Sequence, residues 1–146
     1  MTMKDLSHDL GYANSVTVQT VTTSNLTGTG VDLLGFNSAT VVLVMGDLNE
    51  LGNSPNTAKL EVQLQDSDDN STWANVTDVD VVDLSGVSSV SSGIVISTTS
   101  DGTPVACGYV GDKRYIRAIL QPTDVTVGGP AGVMVLKGHP RHAPAT

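Results

Sequence analysis

Alternating apolar and polar positions predict β-strands through the middle of the chain. The clearest pattern is residues 58–65 (AKLEVQLQ), where Leu60, Val62 and Leu64 fall on one face and polar residues lie between them. Residues 114–120 (RYIRAIL) place Tyr115, Arg117 and Ile119 on one face and Ile116, Ala118 and Leu120 on the other. Both segments therefore predict strands.

A second group of segments completes a strand-and-turn pattern. Residues 39–45 (ATVVLVM) are continuously apolar, which is typical of a strand covered on both faces, and their β-branched side chains favour a strand over a buried helix. Residues 15–24 begin with Val16 and Val18 in alternation. Residues 66–71 (DSDDNS) predict the turn of a hairpin whose second strand is 72–76.

The spacing of strands and turns predicts an all-β fold. About eight to ten short strands, without a long amphipathic helix, are typical of an antiparallel β-sandwich, either jelly-roll or Ig-like. The ends lack this pattern, so we expect extended N- and C-terminal arms. The predicted division is an arm at 1–14, a sandwich at 15–138 and a tail at 139–146.

Composition narrows the function classes. The chain has 146 residues, a single cysteine and a net charge of −8, from 15 acidic and 7 basic residues. Such a surface repels phosphate, which argues against nucleic-acid binding and against anionic membranes. We find neither an apolar run long enough to span a membrane nor the apolar segment of a signal peptide. One cysteine excludes an intrachain disulfide framework.

The acidic turn is the best candidate for a metal site, although its match is incomplete. Asp66, Asp68 and Asn70 correspond to positions 1, 3 and 5 of a calcium-binding loop. Ser71 stands where that loop requires glycine, and Thr77 stands where it requires a bidentate glutamate. A polar hairpin tip is therefore the favoured interpretation.

Neither a catalytic motif nor a cofactor motif is present. The sequence lacks a nucleophile elbow, a phosphate-binding loop and a dinucleotide fingerprint. Cys107 lies within a predicted strand as a small buried residue, and His8, His139 and His142 all lie in the predicted arms. We therefore predict a protein that is not an enzyme and has no cofactor.

Basic residues are few, and three of them surround Tyr115. Lys113, Arg114 and Arg117 balance charge on an acidic surface, or they form an arginine-rich contact to an acidic partner. Both interpretations stay open from the sequence.

Several segments together resemble a family of small tailed-phage and prophage head proteins, whose genes often lie beside that of the major capsid protein. The similar segments follow the same order along nearly the whole chain: 3–6 (MKDL), 28–33 (GTGVDL), 38–44, 64–73 (LQDSDDNSTW), 108–117 (GYVGDKRYIR) and 138–144 (GHPRHAP). The chain differs from the family in longer stretches at 46–57 and 85–100.

The resemblance implies a decoration or cement protein on the capsid exterior. It implies the major capsid protein as partner, a homotrimer or other homo-oligomer on the capsid, and synthesis in the host cytoplasm. Candidate contact residues lie in both arms and in the basic cluster: Lys4, Asp5, Leu6, His8, Leu10, Tyr12, Lys113, Arg114, Arg117, His139 and Arg141.

Two alternatives remain from the sequence. One is a tail-tube or head–tail joining protein. The other is a carbohydrate-binding β-sandwich module that uses Trp73 and the acidic turn, with or without calcium.

Overall fold

The protein is described by a computed structural model that covers residues 6–48, 50–51, 57–82, 94–96 and 104–142. Within these ranges it contains eleven β-strands and one turn of 3₁₀ helix at Asp78–Asp80. The strands are β1 Leu10–Val21, β2 Leu26–Thr27, β3 Val31–Asp32, β4 Phe36–Met45, β5 Lys59–Ser67, β6 Ala74–Asn75, β7 Val81–Val82, β8 Ile94–Ile96, β9 Val105–Tyr109, β10 Tyr115–Thr123 and β11 Gly129–Pro140. No helix in the described ranges is long and apolar enough to cross a membrane.

The strands form two antiparallel sheets. The five-stranded sheet has the order β1-β11-β4-β9-β7. The six-stranded sheet has the order β2-β10-β5-β6, with β3 also paired to β10 and β8 to β5. Buried side chains from both sheets join one hydrophobic core, so the sheets pack face to face. The predicted all-β sandwich is confirmed.

The alternation read from the sequence holds in the six-stranded sheet. Leu60, Val62 and Leu64 of β5 are buried, and the polar residues between them are not. In β10 the buried residues are Ile116, Ala118 and Leu120, and β6 completes the predicted hairpin with β5.

The five-stranded sheet differs from the prediction in two strands. In β4 only alternate residues are buried, and Val44 is exposed on the opposite face, so the expectation of cover on both faces is wrong for the described chain. In β1 the pairing with β11 shifts register between Asn14 and Val16 and again before Gln19. These bulges turn Val18 outward, although Val16 is buried.

The predicted arm boundaries also differ from the structure. β1 begins at Leu10 and β11 continues to Pro140, and Leu10 pairs with Gly138. The sequence gives no alternating pattern here, because the inward-facing position beside Leu10 is Gly11, which has no side chain. A Cβ there would lie 2.7 Å from the Phe36 ring, so the ring fills the space of a side chain. Residues 10–14 and 139–140 therefore belong to the sandwich.

The two ends of the sandwich are built from different chain segments. We call the end formed by residues 46–48, 50–51 and 124–129 the closed end, because Leu48, Leu51 and Val125 are fully buried there. We call the end formed by residues 33–39, 109–114 and 139–141 the open end, because a cavity lies among these segments.

Candidate functional site: a partner-binding surface

The outer face of the five-stranded sheet is uncharged. Its positions are those between the buried ones, aligned across the strands by the pairing register. They are Leu10, Tyr12 and Asn14 of β1, Gly132, Met134 and Leu136 of β11, Thr40, Val42 and Val44 of β4, Ala106 and Gly108 of β9, and Val82 of β7. Tyr12 is 76% exposed, and Val44 and Val82 are also exposed. A contiguous apolar face of this kind is typical of a protein-binding surface.

The outer face of the six-stranded sheet is charged and internally paired. Lys59 forms an ion pair with Glu61 at 3.1 Å. Arg117 donates hydrogen bonds from Nε and Nη2 to Gln65 Oε1 at 3.0 and 2.7 Å. These side chains bind one another, so this face is a solvated surface and a weaker candidate for contact with a partner.

A cavity of about 680 Å³ lies where the uncharged face reaches the open end. Its lining includes Leu6, Leu10 and Leu136. Pro140 and His139 close it from the end of β11. His139 has φ = 51°, a left-handed conformation that costs a non-glycine residue on the order of 1 kcal/mol, and its Nδ1 lies 2.9 Å from Ser38 Oγ.

A second cavity of about 370 Å³ adjoins the first and carries cations. The two cavities share Asn37 and Ser38, the residues just after β4 begins. Lys113, Arg114 and Arg141 line the second cavity, and they are three of the chain's seven lysines and arginines. We call the two cavities together the end groove.

The cations of the end groove differ in their partners. Arg114 binds Asp32 with two hydrogen bonds, of 3.0 and 2.8 Å, and this contact is the main cause that lowers the pKa of Asp32. Lys113 binds Asp68 at 2.8 Å, which raises the pKa of Lys113. Arg141 has no carboxylate partner among the described residues.

Arg141 is held by neutral groups. Its Nε donates to Asn37 Oδ1 at 3.3 Å, and its backbone N–H donates to the carbonyl of Gly35 at 2.8 Å. The planar guanidinium has further donors suited to a carboxylate. Of the three cations, Arg141 is therefore the one best placed to bind an anionic group from outside the chain.

The floor of the second cavity is a buried polar link between the sheets. Tyr109 Oη donates to Asp66 Oδ2 at 2.8 Å and accepts the Lys113 N–H at 3.3 Å. Burial, and then the bond to Asp66, raise the pKa of Tyr109. A Cβ on Gly111 would lie 2.4 Å from Tyr109 Oη, so the turn requires glycine at that position.

The structure brings most of the predicted contact residues together. Leu6, Leu10, His139, Lys113, Arg114 and Arg141 line the end groove, and Tyr12 lies on the adjoining uncharged face. His8 is exposed in the turn before β1 and lines neither cavity. Lys4 and Asp5 lie outside the described residues.

Arg117 is separated from this surface. Its guanidinium lies 4.2 Å from the centre of the Trp73 ring, on the side of the six-stranded sheet. One face of the tryptophan is thus covered by a cation rather than open to a sugar.

The acidic turn is held by its own hydrogen bonds. The Asp69 carboxylate accepts the backbone N–H groups of Thr72 and Ser71 and the hydroxyl of Ser67, and these bonds lower the pKa of Asp69. Asn70 has φ = 58°, a turn conformation that asparagine tolerates.

The three candidate calcium ligands have other roles in the structure. Asp66 accepts from Tyr109, Asp68 binds Lys113, and Asn70 makes the turn. Within the described ranges, no three histidine, cysteine, aspartate or glutamate side chains are grouped so as to hold a metal ion.

Cys107 is buried in β9, as the sequence predicted. Burial raises the pKa of its thiol to about 11. The side chain is therefore a thiol at neutral pH, a poor nucleophile.

Sequence reasoning missed the residues that join the two cavities. Asn37 and Ser38 were not singled out, since the strand was predicted to start at Ala39, whereas β4 starts at Phe36. No local pattern in the sequence marked them, because the pairing of Phe36 with Pro140 is seen only in the register of the strands.

Comparison with known proteins adds little. No protein-family model and no curated protein matches the chain. A solved structure of the CBM22-1 and GH10 modules of xylanase 10B from Clostridium thermocellum, complexed with xylohexaose, is similar over 97% of this chain. The identity is 12%, the TM-score is 0.38, and the chain spans 30% of the length of that structure. A similarity at this level supports no functional inference.

Proposed function

We propose that this protein is a non-enzymatic virion protein, a decoration protein that binds the outside of a capsid shell and stabilises it. The observation that carries the proposal is the uncharged outer face of the five-stranded sheet. In an acidic chain this face bears no charge and exposes Tyr12, Val44 and Val82, whereas the opposite face carries the Lys59–Glu61 ion pair. The sequence resemblance to phage head proteins supplies the shell as the partner.

The size of the face favours a repetitive shell over a free dimer. Strands β1, β11, β4, β9 and β7 hold 12, 12, 10, 5 and 2 residues, which at about 3.3 Å per residue and about 4.8 Å between strands give a face of about 650 Å². A standard pairwise interface buries about 800 Å² on each partner. Contacts this small gain strength when many copies, or the subunits of an oligomer, bind one array.

The test is to mix the purified protein with shells that lack it and to image the particles by electron cryomicroscopy. We expect added density at fixed symmetry positions, with the uncharged face towards the shell. Bare shells, with the protein left in solution, would overturn the proposal. A hexameric ring in sedimentation would move the assignment to a tail-tube or joining protein.

A matched pair of variants tests which face binds. Tyr12→Glu places one charge on the uncharged face, and Gln63→Glu places the same charge on the opposite sheet. Loss of an exposed aromatic anchor should weaken shell binding by roughly tenfold or more, while Gln63→Glu should leave it unchanged. Both variants should melt like the original protein, because both positions are accessible to solvent. Equal binding by the two variants would rule out this face.

A further inference from the structure

We propose that the end groove binds an extended segment of the partner that carries an apolar side chain and, two residues away, a carboxylate. Arg141 is the anchor for the carboxylate. This inference rests on the proposed function for the identity of the partner, the shell protein, and it adds the chemistry by which one site recognises it.

The shape of the groove fits an extended segment. The two cavities, of about 680 and 370 Å³, meet at the consecutive residues Asn37 and Ser38. In an extended chain, alternate side chains on one face lie about 7 Å apart. Neighbouring side chains on that face can therefore enter neighbouring cavities.

The two cavities differ in chemistry. Leu6, Leu10 and Leu136 line the larger one beside a single carboxylate, Asp9, so its apolar part suits an apolar side chain. Arg141 and Arg114 line the smaller one. Because Arg114 already binds Asp32 with two hydrogen bonds, Arg141 supplies the available charge.

Charge complementarity identifies the incoming group as acidic. The chain carries a net charge of −8, so most of its surface repels a carboxylate. The smaller cavity brings together Lys113, Arg114 and Arg141 with one carboxylate, Asp112, which lies 4.0 Å from Lys113 Nζ. Asn37 orients the Arg141 guanidinium through Nε, and its remaining donors can bind a carboxylate with two hydrogen bonds.

The backbone at this site supports a binding role. His139 adopts the left-handed conformation two residues before Arg141. Residues held in such conformations cluster at binding sites, because the surrounding structure must hold them there. The Gly35 carbonyl, which accepts the Arg141 N–H, helps to hold this chain end in place.

A peptide probe tests the groove without the shell. The probes are two capped peptides, Leu-Ala-Asp and Leu-Ala-Asn, titrated into the ¹⁵N-labelled full chain. We expect the Asp peptide to shift the amide signals of Asn37 and Ser38 and the Nε–H signal of Arg141, with the Asn peptide at least tenfold weaker. Equal shifts from the two peptides, or none from either, would overturn the inference.

Two variants show whether Arg141 carries the preference. Arg141→Gln should remove the difference between the peptides, whereas Lys59→Gln, which removes the same charge from the opposite sheet, should keep it. If Lys59→Gln has the same effect as Arg141→Gln, the net charge of the chain is responsible and the site is not.

Shell binding separates this inference from the proposed function. Shells that bind the original protein and Arg141→Gln equally would remove the groove contact and leave the decoration role intact. Peptide binding without shell binding would overturn the decoration role and leave the groove contact intact. Dimers in sedimentation that disappear in Arg141→Gln would instead assign the groove to a second copy, through its exposed acidic turn.

Discussion

The closed and open ends of the sandwich differ in how the space between the two sheets is filled. At the closed end, Leu48 and Leu51 are fully buried in the core, and Glu50 between them binds the backbone of residues 126–128. At the open end, the sheets are joined by the Tyr109–Asp66 hydrogen bond, and cavities remain around it. The closed end maximises apolar burial, whereas the open end keeps polar groups and unfilled space.

This difference places a strongly stabilising contact at one end and the proposed binding groove at the other. Glu50 accepts hydrogen bonds from the backbone N–H groups of Thr126, Val127 and Gly128 and from the Thr126 hydroxyl. All its described partners belong to the chain itself. Arg141 at the other end has donors that no described carboxylate uses. Substitutions at the two ends should therefore change different measurements.

The largest effect is expected at the closed end. Leu48→Ala truncates a fully buried side chain. That side chain packs closely against Gly129, where an added Cβ would lie 3.2 Å from Leu48 Cγ. The free energy of unfolding should fall by about 3 kcal/mol, because a cavity replaces the leucine. Urea denaturation measures it.

The matched control lies at the open end. Leu34→Ala truncates the same side-chain type where it is 61% exposed and lines the second cavity. Its effect should be below about 0.5 kcal/mol. Similar losses for the two variants would show that the ends do not differ in this way.

The sequence predicted the strands of the two sheets better than it predicted the two ends of the sandwich. The alternation in residues 58–65 predicted which side chains face the core, because the other face of that strand is polar, and residues 114–120 were correctly predicted as a strand. The bulges of β1 depend on pairing with β11, more than one hundred residues away. No local pattern of residues 15–24 carries that information.

The sequence singled out many residues of the proposed binding surface, but it did not show that they lie together. The scarcity of cations drew attention to Lys113, Arg114 and Arg117, and Arg141 was named as a contact residue of the C-terminal arm. The meeting of the end-groove cations with Leu6 and Leu10 depends on how β4 is paired with β11, which periodicity does not reveal. Leu48 and Leu51 lie in the stretch 46–57, outside every predicted strand, although two leucines among polar residues are a sign of burial.

An intermediate effect is expected for the link between the sheets. Tyr109→Phe removes the hydroxyl that donates to Asp66, a buried carboxyl group. Hydrogen bonds to charged groups contribute about 1.5–3 kcal/mol, so the loss should be about 2 kcal/mol. Asp66→Asn in the Tyr109→Phe background should recover part of it, and a double-mutant cycle by urea denaturation measures the coupling. Additive losses would mean that the two groups do not interact.

The same residue should give the stability a dependence on alkaline pH. The pKa of Tyr109 is raised on folding, so the folded state favours the neutral phenol. Its contribution is fully present below the unfolded pKa of about 10 and is lost as the pH rises above it. Tyr109→Phe should therefore lose stability less steeply above pH 10 than the original protein.

The smallest effect is expected for Glu50, and it appears at acid pH. The hydroxyl of Thr126, followed by the backbone N–H of Gly128, lowers the pKa of Glu50 to about 2. A carboxylate with a lowered pKa stabilises the fold above its unfolded pKa, about 4.3, and that contribution is lost as the pH falls towards 2. Glu50→Gln should thus melt below the original protein at pH 6, and the gap should narrow at pH 2.5. Glu61→Gln, which removes the same charge from the face of the six-stranded sheet, serves as the control. A gap that stays constant from pH 6 to pH 2.5 would show that the hydrogen bonds at the closed end do not depend on the charge of Glu50.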